Sequence, residues 1–495
     1  MAPQPITSFT PLLTAAEAFP TFERLVLNAH TEVIASFRIF DPSTQLLSEE
    51  ARTIGRDWAD LLAHGLRRGV TVRLTLADFD PVMAPELHKA CWRAYKQLMA
   101  VAEIVGPDAA SRLEVRTALH PARAGRVARA AFALAVARHR SRARLSRFAP
   151  GLTRAKQAKS ITLFPATHHQ KLAVIDRDTL YIGGLDLNPR RMDDTTHRRA
   201  AHQTWHDVQC VVTGPVVAAA RTHLTSFQRV VQGAQDPPPA TPGFLRTLAR
   251  RRRAHAVTIG PKTLVQEVLD AHLHGIATAR RLIYLETQFL RHRAIAEALA
   301  TAADKHPELT LIAILPAAPE DVAFEGNTGG DARLGEGLQA EMVTKLRNAF
   351  GPRAAILSPA RPTPADPALP TRSVLHDAPI IYVHSKVAVF DDSRAILSSA
   401  NLNGRSLLWD TEAGVELTDP GQIVPLRERL MTHWWGGTPT PQALCPDTAA
   451  SLWAERATQN AGTAPEARKG FLLPYDVEAA AAFGASLPFV PEALV

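Results

Sequence analysis

The chain of 495 residues is long enough for two or more domains with complete cores, and its hydrophobic content of 46% is ordinary for a globular protein. A formal net charge of +8 favours an anionic partner, either nucleic acid or an acidic lipid surface. Three cysteines, Cys91, Cys210 and Cys445, give no disulfide framework and no metal-binding spacing.

Targeting signals are not apparent in the sequence. Residues 1–20 lack the pattern of a secretory signal, and no stretch approaches the roughly 18 apolar residues of a membrane span. We therefore expect a cytoplasmic or peripheral membrane protein without a transmembrane segment. Export by a non-classical route would leave no mark in the sequence.

Both halves of the chain show the same order of predicted elements, a strand, a helix and a second strand. In the first half these elements are residues 32–40, 43–68 and 70–76. In the second half they are residues 281–290, 294–305 and 309–315. The repeated order predicts two related α/β domains.

A break in regular structure separates the two predicted domains. It contains three consecutive prolines and a run of four arginines. We therefore predict a first domain over residues 1–235, a linker over 236–256 and a second domain over 257–495.

The segment 83–160 is predicted to be a helical, alanine-rich insertion into the first domain. Within it, residues 123–159 contain eleven lysines or arginines and no acidic residue. This charge is typical of a solvated helical face, but it also fits an adsorption surface for anionic lipid headgroups or a track for a nucleic-acid backbone. The apolar side chains that could enter a lipid interface beside it are Phe132, Leu134, Val136, Leu145 and Phe148.

One short pattern occurs twice: a histidine, one residue, a lysine, four residues and an aspartate. The two copies are His169, Lys171 and Asp176, and His384, Lys386 and Asp391. The same offset of 215 residues continues downstream, where Gly183, Gly184 and Asp186 align with Ser398, Ser399 and Asn401. A single copy carries little information, but two copies at one offset indicate a duplicated unit whose two sites act together.

The apolar residues after each lysine predict buried strands. Because residues two apart on a strand share a face, His169 projects with Lys171 and His384 projects with Lys386. A neutral imidazole next to an ammonium group suits a phosphate, since the lysine offsets oxygen charge while the histidine attacks or moves a proton.

Asp176 and Asp391 complete the motif, and we count them among the candidate catalytic residues. Each follows its histidine by seven residues, which places it on the opposite face of a regular strand. The spacing therefore favours a turn or hydrogen-bonding role at the strand end over direct chemistry.

Small and polar residues end the next predicted strand in each half, and four of them are candidates for binding substrate phosphate. Gly184 lets a backbone approach a ligand closely, although a bulge or tight packing explains a glycine equally well. Ser399 and Asn401 offer a hydroxyl and an amide to phosphate oxygens. Asp186 stands at the position equivalent to Asn401.

These segments resemble the phospholipase D superfamily, whose signature is the duplicated motif. Beyond the motif, the resemblance includes residues 168–187, 205–208, 213–215, 284–289, 399–406 and 410–412. Matches are dense over residues 160–220 and 280–418 and sparse elsewhere. It implies two α/β/α domains, each a mixed sheet flanked by helices, which form a pseudo-dimer with one active site at their interface.

The resemblance also implies a mechanism. His169 acts as the nucleophile that forms a phosphohistidine, and His384 acts as the acid; the symmetry of the sequence alone does not distinguish them. Carboxylates of the opposite half orient the two histidines, with Asp207 serving one and Asp410 or Glu412 serving the other. We expect neither a metal ion nor another cofactor.

The leading functional hypothesis is a phospholipase D-type enzyme that cleaves the headgroup phosphodiester of a glycerophospholipid at a membrane surface. The products would be phosphatidic acid and an alcohol, and transfer to another alcohol is also expected. A cardiolipin synthase-like phosphatidyltransferase is the alternative. A nuclease ranks lower, because an aromatic content of 6% gives no obvious stacking platform for nucleic acid. Two complete motifs argue against a silent binding protein.

Overall fold

The computed structural model describes residues 4–158, 162–253, 256–486 and 491–494. Residues 159 and 160, at the end of the predicted insertion, lie outside the described residues, and so do residues 254 and 255 of the predicted linker. Among the described residues, no helix combines the length and the apolar character needed to cross a membrane.

The strands are β1 (Ser8–Leu13), β2 (Glu32–Phe37), β3 (Thr71–Asp78), β4 (Leu113–Leu119), β5 (Leu172–Ile175), β6 (Thr179–Gly183), β7 (Val208–Thr213), β8 (Phe244–Arg250), β9 (Lys262–Gln266), β10 (Leu282–Thr287), β11 (Thr310–Ile314), β12 (Ala354–Pro359), β13 (Val374–Leu375), β14 (Ala378–Pro379), β15 (Lys386–Phe390), β16 (Arg394–Ser398), β17 (Glu412–Leu417) and β18 (Leu472–Pro474).

The helices are α1 (Thr14–Leu27), α2 (Glu49–Arg52), α3 (Trp58–Arg67), α4 (Pro85–Val105), α5 (Pro107–Ala110), α6 (Arg126–Ala131), α7 (Ala133–Arg142), α8 (Pro150–Gln157), α9 (Val216–Gln232), α10 (Glu267–Thr278), α11 (Arg293–Lys305), α12 (Glu320–Phe324), α13 (Gly330–Phe350), α14 (Pro420–Trp435), α15 (Pro441–Leu444), α16 (Ala449–Ala461) and α17 (Val477–Phe483).

Two mixed sheets form the framework. Six strands of each sheet follow the same order when the first sheet is read in reverse, from β4 to β7, beside β12 to β17 of the second. The first sheet runs β1-β7-β6-β5-β2-β3-β4, and the second runs β18-β12-β11-β10-β15-β16-β17-β8-β9. In each sheet three parallel strands, β2-β3-β4 or β10-β11-β12, lie beside an antiparallel strand, β5 or β15, that follows the motif histidine. The prediction of an α/β fold with two mixed sheets flanked by helices is confirmed.

The sheet faces that meet each other form one hydrophobic core. Leu172 and Val174 on β5 pack into this core from the first half, and Val387 and Val389 on β15 pack into it from the second. Ile175 points the other way, into a separate core between the first sheet and its outer helices. Because both faces of the motif strands are buried, their sequences are unbroken apolar runs.

The predicted elements agree with the structure to within three residues at each end, except at residues 43–68. That stretch was predicted to be one helix, but it contains α2 and α3 with a turn between them. The side chains of Ser48 and Asp57 each accept a hydrogen bond from the first turn of the helix that follows. Each cap starts a new helix, so the single-helix prediction is wrong.

The predicted linker 236–256 is only partly irregular. Residues Phe244–Arg250 form β8, which pairs with β17 inside the second sheet. Phe244 and Leu248 are buried there. The prolines and arginines on either side suggested a break in regular structure. The segment between them is nevertheless long enough to form a strand of the second sheet.

The predicted insertion 83–160 also contains part of the fold. β4 pairs in parallel with β3, and α4 is the crossover helix that connects the two strands. Only α6, α7 and α8 lie between β4 and the motif strand β5. β4 escaped prediction because it is a half-buried edge strand and therefore lacks a continuous apolar run.

Asp176 and Asp391 lie just beyond β5 and β15, at the opposite ends of these strands from the motif histidines. Asp176 accepts hydrogen bonds from the backbone amides of residues 30–32 at 2.7, 2.7 and 3.1 Å. Asp391 accepts from the amides of residues 280–282, each at 2.9 Å. The two aspartates therefore fix the starts of β2 and β10, and their grouping with the catalytic residues is corrected to this strand-end role.

Replacing Asp176 by alanine removes the shared acceptor of three amides and puts a side chain without a polar group at a φ of +51°. We expect the free energy of unfolding, measured by urea denaturation, to fall by about 1–3 kcal/mol. Asp178→Ala is the control, because Asp178 is exposed and accepts from the neighbouring Thr179 hydroxyl. An equal loss in both variants would contradict the strand-end role.

Candidate active site

The segments that lead into the two motif strands are bonded to opposite halves of the chain. The backbone amide of His169 donates to Thr411 O at 2.9 Å. The amide of His206 donates to Tyr382 O at 2.8 Å, and the amide of His384 donates to His206 O at 2.7 Å. These crossed backbone bonds join residues that are 242, 176 and 178 positions apart in the sequence, and they place each motif histidine beside the other half.

Each motif histidine lies against a carboxylate that the opposite half supplies. His384 Nδ1 is 2.6 Å from Asp207 Oδ2, and His169 Nδ1 is 2.9 Å from Glu412 Oε1. A carboxylate at Nδ1 fixes the tautomer and the ring orientation, which leaves Nε2 free to face a substrate. Asp207 and Glu412, two of the predicted orienting residues, therefore lie beside the two imidazole rings.

Asp410, the other predicted orienting residue, has a different place. Its carboxylate accepts a hydrogen bond from the Thr167 amide at 2.7 Å and lies 3.3 Å from the Arg405 guanidinium. It therefore positions the segment that precedes His169 rather than the imidazole itself, and its prediction as a histidine-orienting residue is corrected.

The two motif lysines are buried beside the histidines. Lys171 Nζ lies 3.2 Å from both ring nitrogens of His169 and donates to the His169 carbonyl at 2.5 Å. Lys386 Nζ donates to the His384 carbonyl and to Gln288 Oε1. Burial lowers the pKa of Lys171 to about 8 and the pKa of Lys386 to about 7.

The two histidine–carboxylate pairs are held in a site that disfavours charge separation. Burial, together with the neighbouring lysines, lowers the pKa of His169 and of His384 well below the usual value. Burial raises the pKa of Glu412 to about 8 and that of Asp207 to about 6. The charges of Lys171 and His169 also contribute to the lowered pKa of His384, after the larger effect of burial.

Two of the predicted phosphate-binding residues hold other parts of the site. The Gly184 amide donates to Val208 O, and a Cβ at Gly184 would lie 2.3 Å from Asp207 Oδ1. Gly184 therefore makes room for the carboxylate at His384. Ser399 Oγ donates to Glu412 Oε2 at 2.5 Å, so it fixes the carboxylate beside His169. Their phosphate-binding assignment is corrected to these supporting roles.

Asp186 and Asn401 occupy equivalent positions but have different environments. Asp186 Oδ1 accepts from the Ile39 amide, and Oδ2 lies 3.1 Å from the Arg38 guanidinium. Burial acts to raise the pKa of Asp186, but the charges of Lys171 and Arg38 outweigh it and hold the pKa below its usual value. An ionised carboxylate only accepts hydrogen bonds, so Asp186 does not suit a phosphate oxygen. Asn401 Oδ1 is buried with no hydrogen-bond partner among the described residues.

Glu286 is a supporting residue that the sequence did not single out. It is fully buried and accepts hydrogen bonds from His206 Nε2, Ser385 Oγ, Trp434 Nε1 and the Tyr284 hydroxyl. Its partners His206 and Ser385 adjoin Asp207 and His384 in the chain, so one carboxylate holds both members of that pair. The signal was its place in the segment 284–289, which resembles a family strand.

Three comparisons with known proteins agree with this architecture. A family model described as "Cardiolipin synthase, PLD-like domain" matches residues 273–435, which include the second motif. Curated relatives include phospholipase D1 of Rattus norvegicus, 26% identical over 263 residues, and phospholipase D alpha 1 of Oryza sativa subsp. japonica, 22% identical over 356 residues. The alignments cover 43% and 49% of this chain but 24% and 44% of the relatives, so the chain spans less than half the length of these relatives.

A solved structure shares the fold over almost the whole chain. The phosphatidylserine synthase of Haemophilus influenzae Rd KW20 superimposes with a TM-score of 0.54 and 13% sequence identity, over 92% of this chain and 93% of that one. The duplicated motif, the two-sheet fold and these relatives together identify the family. The chain belongs to the phospholipase D superfamily.

Lys171 combines full burial with a lowered pKa, so its charge opposes folding. Replacement by methionine, which has a similar length and no charge, removes this cost but also removes a positive charge that stabilises Asp186, so the melting temperature should fall much less than in the control below. Differential scanning calorimetry at pH 7 measures this effect. The control is Leu172→Ala at the adjacent buried position, which should cost about 2–5 kcal/mol. Equal destabilisation by both changes would contradict the electrostatic description of the site.

Proposed function

We propose that the protein is a phospholipase D-type phosphodiesterase that cleaves the headgroup phosphodiester of glycerophospholipids to give phosphatidic acid. One observation carries the proposal: two motif histidines each pair with a carboxylate of the opposite half, at 2.6 and 2.9 Å, in a shared buried site. Two oriented imidazoles suit a two-step transfer, because one attacks phosphorus while the other manages the proton of the leaving group.

In the first step, Nε2 of His169 attacks phosphorus and the bond from phosphorus to the headgroup oxygen breaks. His384 donates its proton to the departing oxygen, which leaves as an alcohol, and a phosphohistidine remains. In the second step, neutral His384 takes a proton from water while the water oxygen displaces His169 from phosphorus. Phosphatidic acid is released, and an alcohol in place of water gives transphosphatidylation instead.

The protonation states in the free site fit these roles once substrate is present. A neutral His169 is the form that can attack, and burial favours that form. His384 needs a proton, and the negative charge of a bound phosphodiester favours its imidazolium form. Asp207, 2.6 Å from Nδ1, then stabilises the imidazolium.

Lys171, Lys386 and Asn401 are the proposed partners of the phosphoryl oxygens. Both lysines are buried beside the histidines, and the Asn401 side chain is buried, with its NH2 group as the donor to a phosphoryl oxygen. Donors held in a dry site stabilise developing negative charge without reorganisation, a role that metal ions have in other phosphoryl-transfer enzymes.

A phosphatidyltransferase similar to cardiolipin synthase is the second candidate. It is favoured by the description of the family model that matches residues 273–435. Both candidates share the phosphohistidine step and differ only in the acceptor, which is water for one and a lipid alcohol for the other. The two candidates are therefore distinguished by the product they form, which is phosphatidic acid after transfer to water and a new phospholipid after transfer to a lipid alcohol.

The basic segment is the proposed contact with anionic lipid. Leu134 and Leu145 are 77% and 60% exposed there, whereas Val136 is buried against Leu152. Phe148 is half-buried beneath the Arg147 guanidinium. The apolar surface is therefore smaller than the sequence suggested, and we assign lipid contact to the two leucines and the surrounding arginines.

Vesicles of phosphatidylcholine, phosphatidylethanolamine and phosphatidylglycerol, each incubated with purified protein, test the proposed reaction. We expect headgroup release that persists in EDTA, because no proposed step uses a metal ion. His169→Gln should lower the rate on the order of 10²–10⁴-fold or more. His274→Gln, at an exposed histidine on α10, should not change it.

The same assay separates the alternatives. Formation of cardiolipin from phosphatidylglycerol without transfer to water would favour the phosphatidyltransferase. Cleavage of single- or double-stranded DNA without any lipid turnover would overturn both lipid proposals.

Charge removal on the basic segment tests membrane contact separately. Arg138, Arg142 and Arg144 are exposed, and their joint replacement by glutamine should weaken binding to anionic vesicles on the order of 100-fold, at about 1 kcal/mol each. Cleavage of a soluble short-chain substrate should be unaffected. The control replaces Lys305, Arg333 and Lys345 by glutamine, an equal charge change on exposed positions of the second half. Unchanged vesicle sedimentation of the first variant would rule out this contact.

A further inference from the structure

A cluster of three histidines lies outside the proposed catalytic pairs. His197 is in a loop of the first half, His206 lies two residues before the start of β7, and His433 is in the last turn of α14 in the second half. Within the part of the chain that the structure describes, one nitrogen of each ring can be chosen so that all three lie within 4.8 Å of one another. His197 Nε2 and His433 Nε2 are 3.1 Å apart.

Two carboxylates orient two of the histidine rings, each by contact with the ring nitrogen that faces away from the cluster. Asp193 Oδ2 lies 2.7 Å from His197 Nδ1, and Glu286 Oε2 lies 3.0 Å from His206 Nε2. Each carboxylate accepts the proton of one ring nitrogen, so the other nitrogen of that ring presents a lone pair to the cluster. Carboxylates behind ligating histidines are the usual support of protein metal sites.

The polar atoms of the cluster are not all satisfied by one another. A single N–H can bridge His197 and His433, but His206 Nδ1 is buried and has no hydrogen-bond partner among the described residues. Buried polar nitrogens are rarely left unpaired, because the loss of hydration is costly. Three lone pairs that converge on one point would all be satisfied by a cation.

We propose that His197, His206 and His433 together bind one divalent transition-metal ion, of which Zn²⁺ fits best. Imidazole nitrogens suit Zn²⁺, and tetrahedral bonds of about 2.0–2.1 Å require ligand nitrogens about 3.3 Å apart. The spacing of His197 and His433 already meets this requirement, so His206 needs only a small movement. Binding requires that His433 carry its proton on Nδ1, which releases Nε2 as a ligand.

The cluster is accessible from the protein surface. His197 and His433 line a surface pocket of about 720 Å³. A water molecule from this pocket would complete the tetrahedron. Glu17 and Arg429, which pair with each other, form part of the pocket wall.

The metal ion would join the two halves of the protein beside the proposed active site. It would connect His206 of the first half to His433 of the second. His206 adjoins Asp207, which orients His384, and Glu286 holds both His206 and Ser385. The ion therefore fixes the interface and takes no part in the chemistry at phosphorus. This proposal departs from the expectation of a metal-free protein and does not depend on the proposed reaction.

Metal binding by the full chain tests the site without any lipid assay. Protein stripped with a strong chelator is titrated with Zn²⁺ alone in a calorimeter, and we expect one ion per chain with a rise in melting temperature. Co²⁺ in place of Zn²⁺ should give the intense visible absorption of a tetrahedral complex. His433→Ala should weaken binding by at least about 100-fold and abolish both signals, whereas His433→Cys, which keeps a ligand, should restore them.

His202→Ala removes an exposed histidine a few residues from the cluster and is the matched control, with binding expected to match the unmodified protein. His433 is partly exposed, so the melting temperature of metal-free His433→Ala should stay close to that of the metal-free parent chain. Equal Zn²⁺ affinity in His433→Ala and His202→Ala would overturn the proposal. A parent chain that binds no Zn²⁺ after stripping, while its melting temperature shows it to be folded, would overturn it as well.

Discussion

The architecture depends on two sets of crossed hydrogen bonds between the halves. The backbone before β5 bonds to Thr411, and the backbone before β15 bonds to His206. This exchange carries Glu412 to His169 and Asp207 to His384. Neither half alone contains a motif histidine together with the carboxylate that orients it, so the proposed chemistry requires both sheets to pack against each other. The shared hydrophobic core between the sheets supplies the packing energy.

Burial has a second effect, on charge. Lys171 and Lys386 are almost completely buried, and burial disfavours the charged form of each. The pKa values of both lysines are lowered for this reason. A bound phosphodiester anion would supply a counter-charge to the two lysines, so the site would be complementary to the proposed substrate. Buried charges of this kind are typical of functional sites, where stability is given up for reactivity.

Sequence patterns predicted the features that depend on local periodicity. The apolar runs after each lysine predicted β5 and β15, and the two-residue repeat of a strand placed His169 with Lys171 on one face. The seven-residue spacing favoured the strand-end role that Asp176 has in the structure. The repeated strand order also predicted two related α/β domains, which the matching sheet orders reflect.

The remaining features depend on contacts between distant segments. The choice between Asp410 and Glu412 follows from the register of Thr411 against the segment before His169, which no local pattern encodes. The role of Gly184 follows from the approach of Asp207, and that of Ser399 from its bond to Glu412. β4 and β8 were missed because an edge strand and a strand between prolines and arginines lack a clean apolar pattern.

The histidine cluster is a further contact between the two halves of the chain. Glu286 lies between the cluster and the His384 segment, so one buried carboxylate supports both. A change at the outer pocket would therefore be transmitted to the proposed active site through His206 and Asp207, which are adjacent in the chain. The two halves are thus joined at the core, at the crossed backbone bonds and at this cluster.

The most direct test of the account is to trap the covalent intermediate. A phosphodiester with a p-nitrophenol leaving group needs no proton from His384, so His384→Gln should still complete the first step and then stall without its base. Rapid quenching and mass spectrometry of this variant should find one phosphoryl group per chain on His169, together with a stoichiometric burst of p-nitrophenol. A burst of p-nitrophenol in this variant without modification of His169 would contradict the central claim that one phosphorus atom is handled by histidines from both halves.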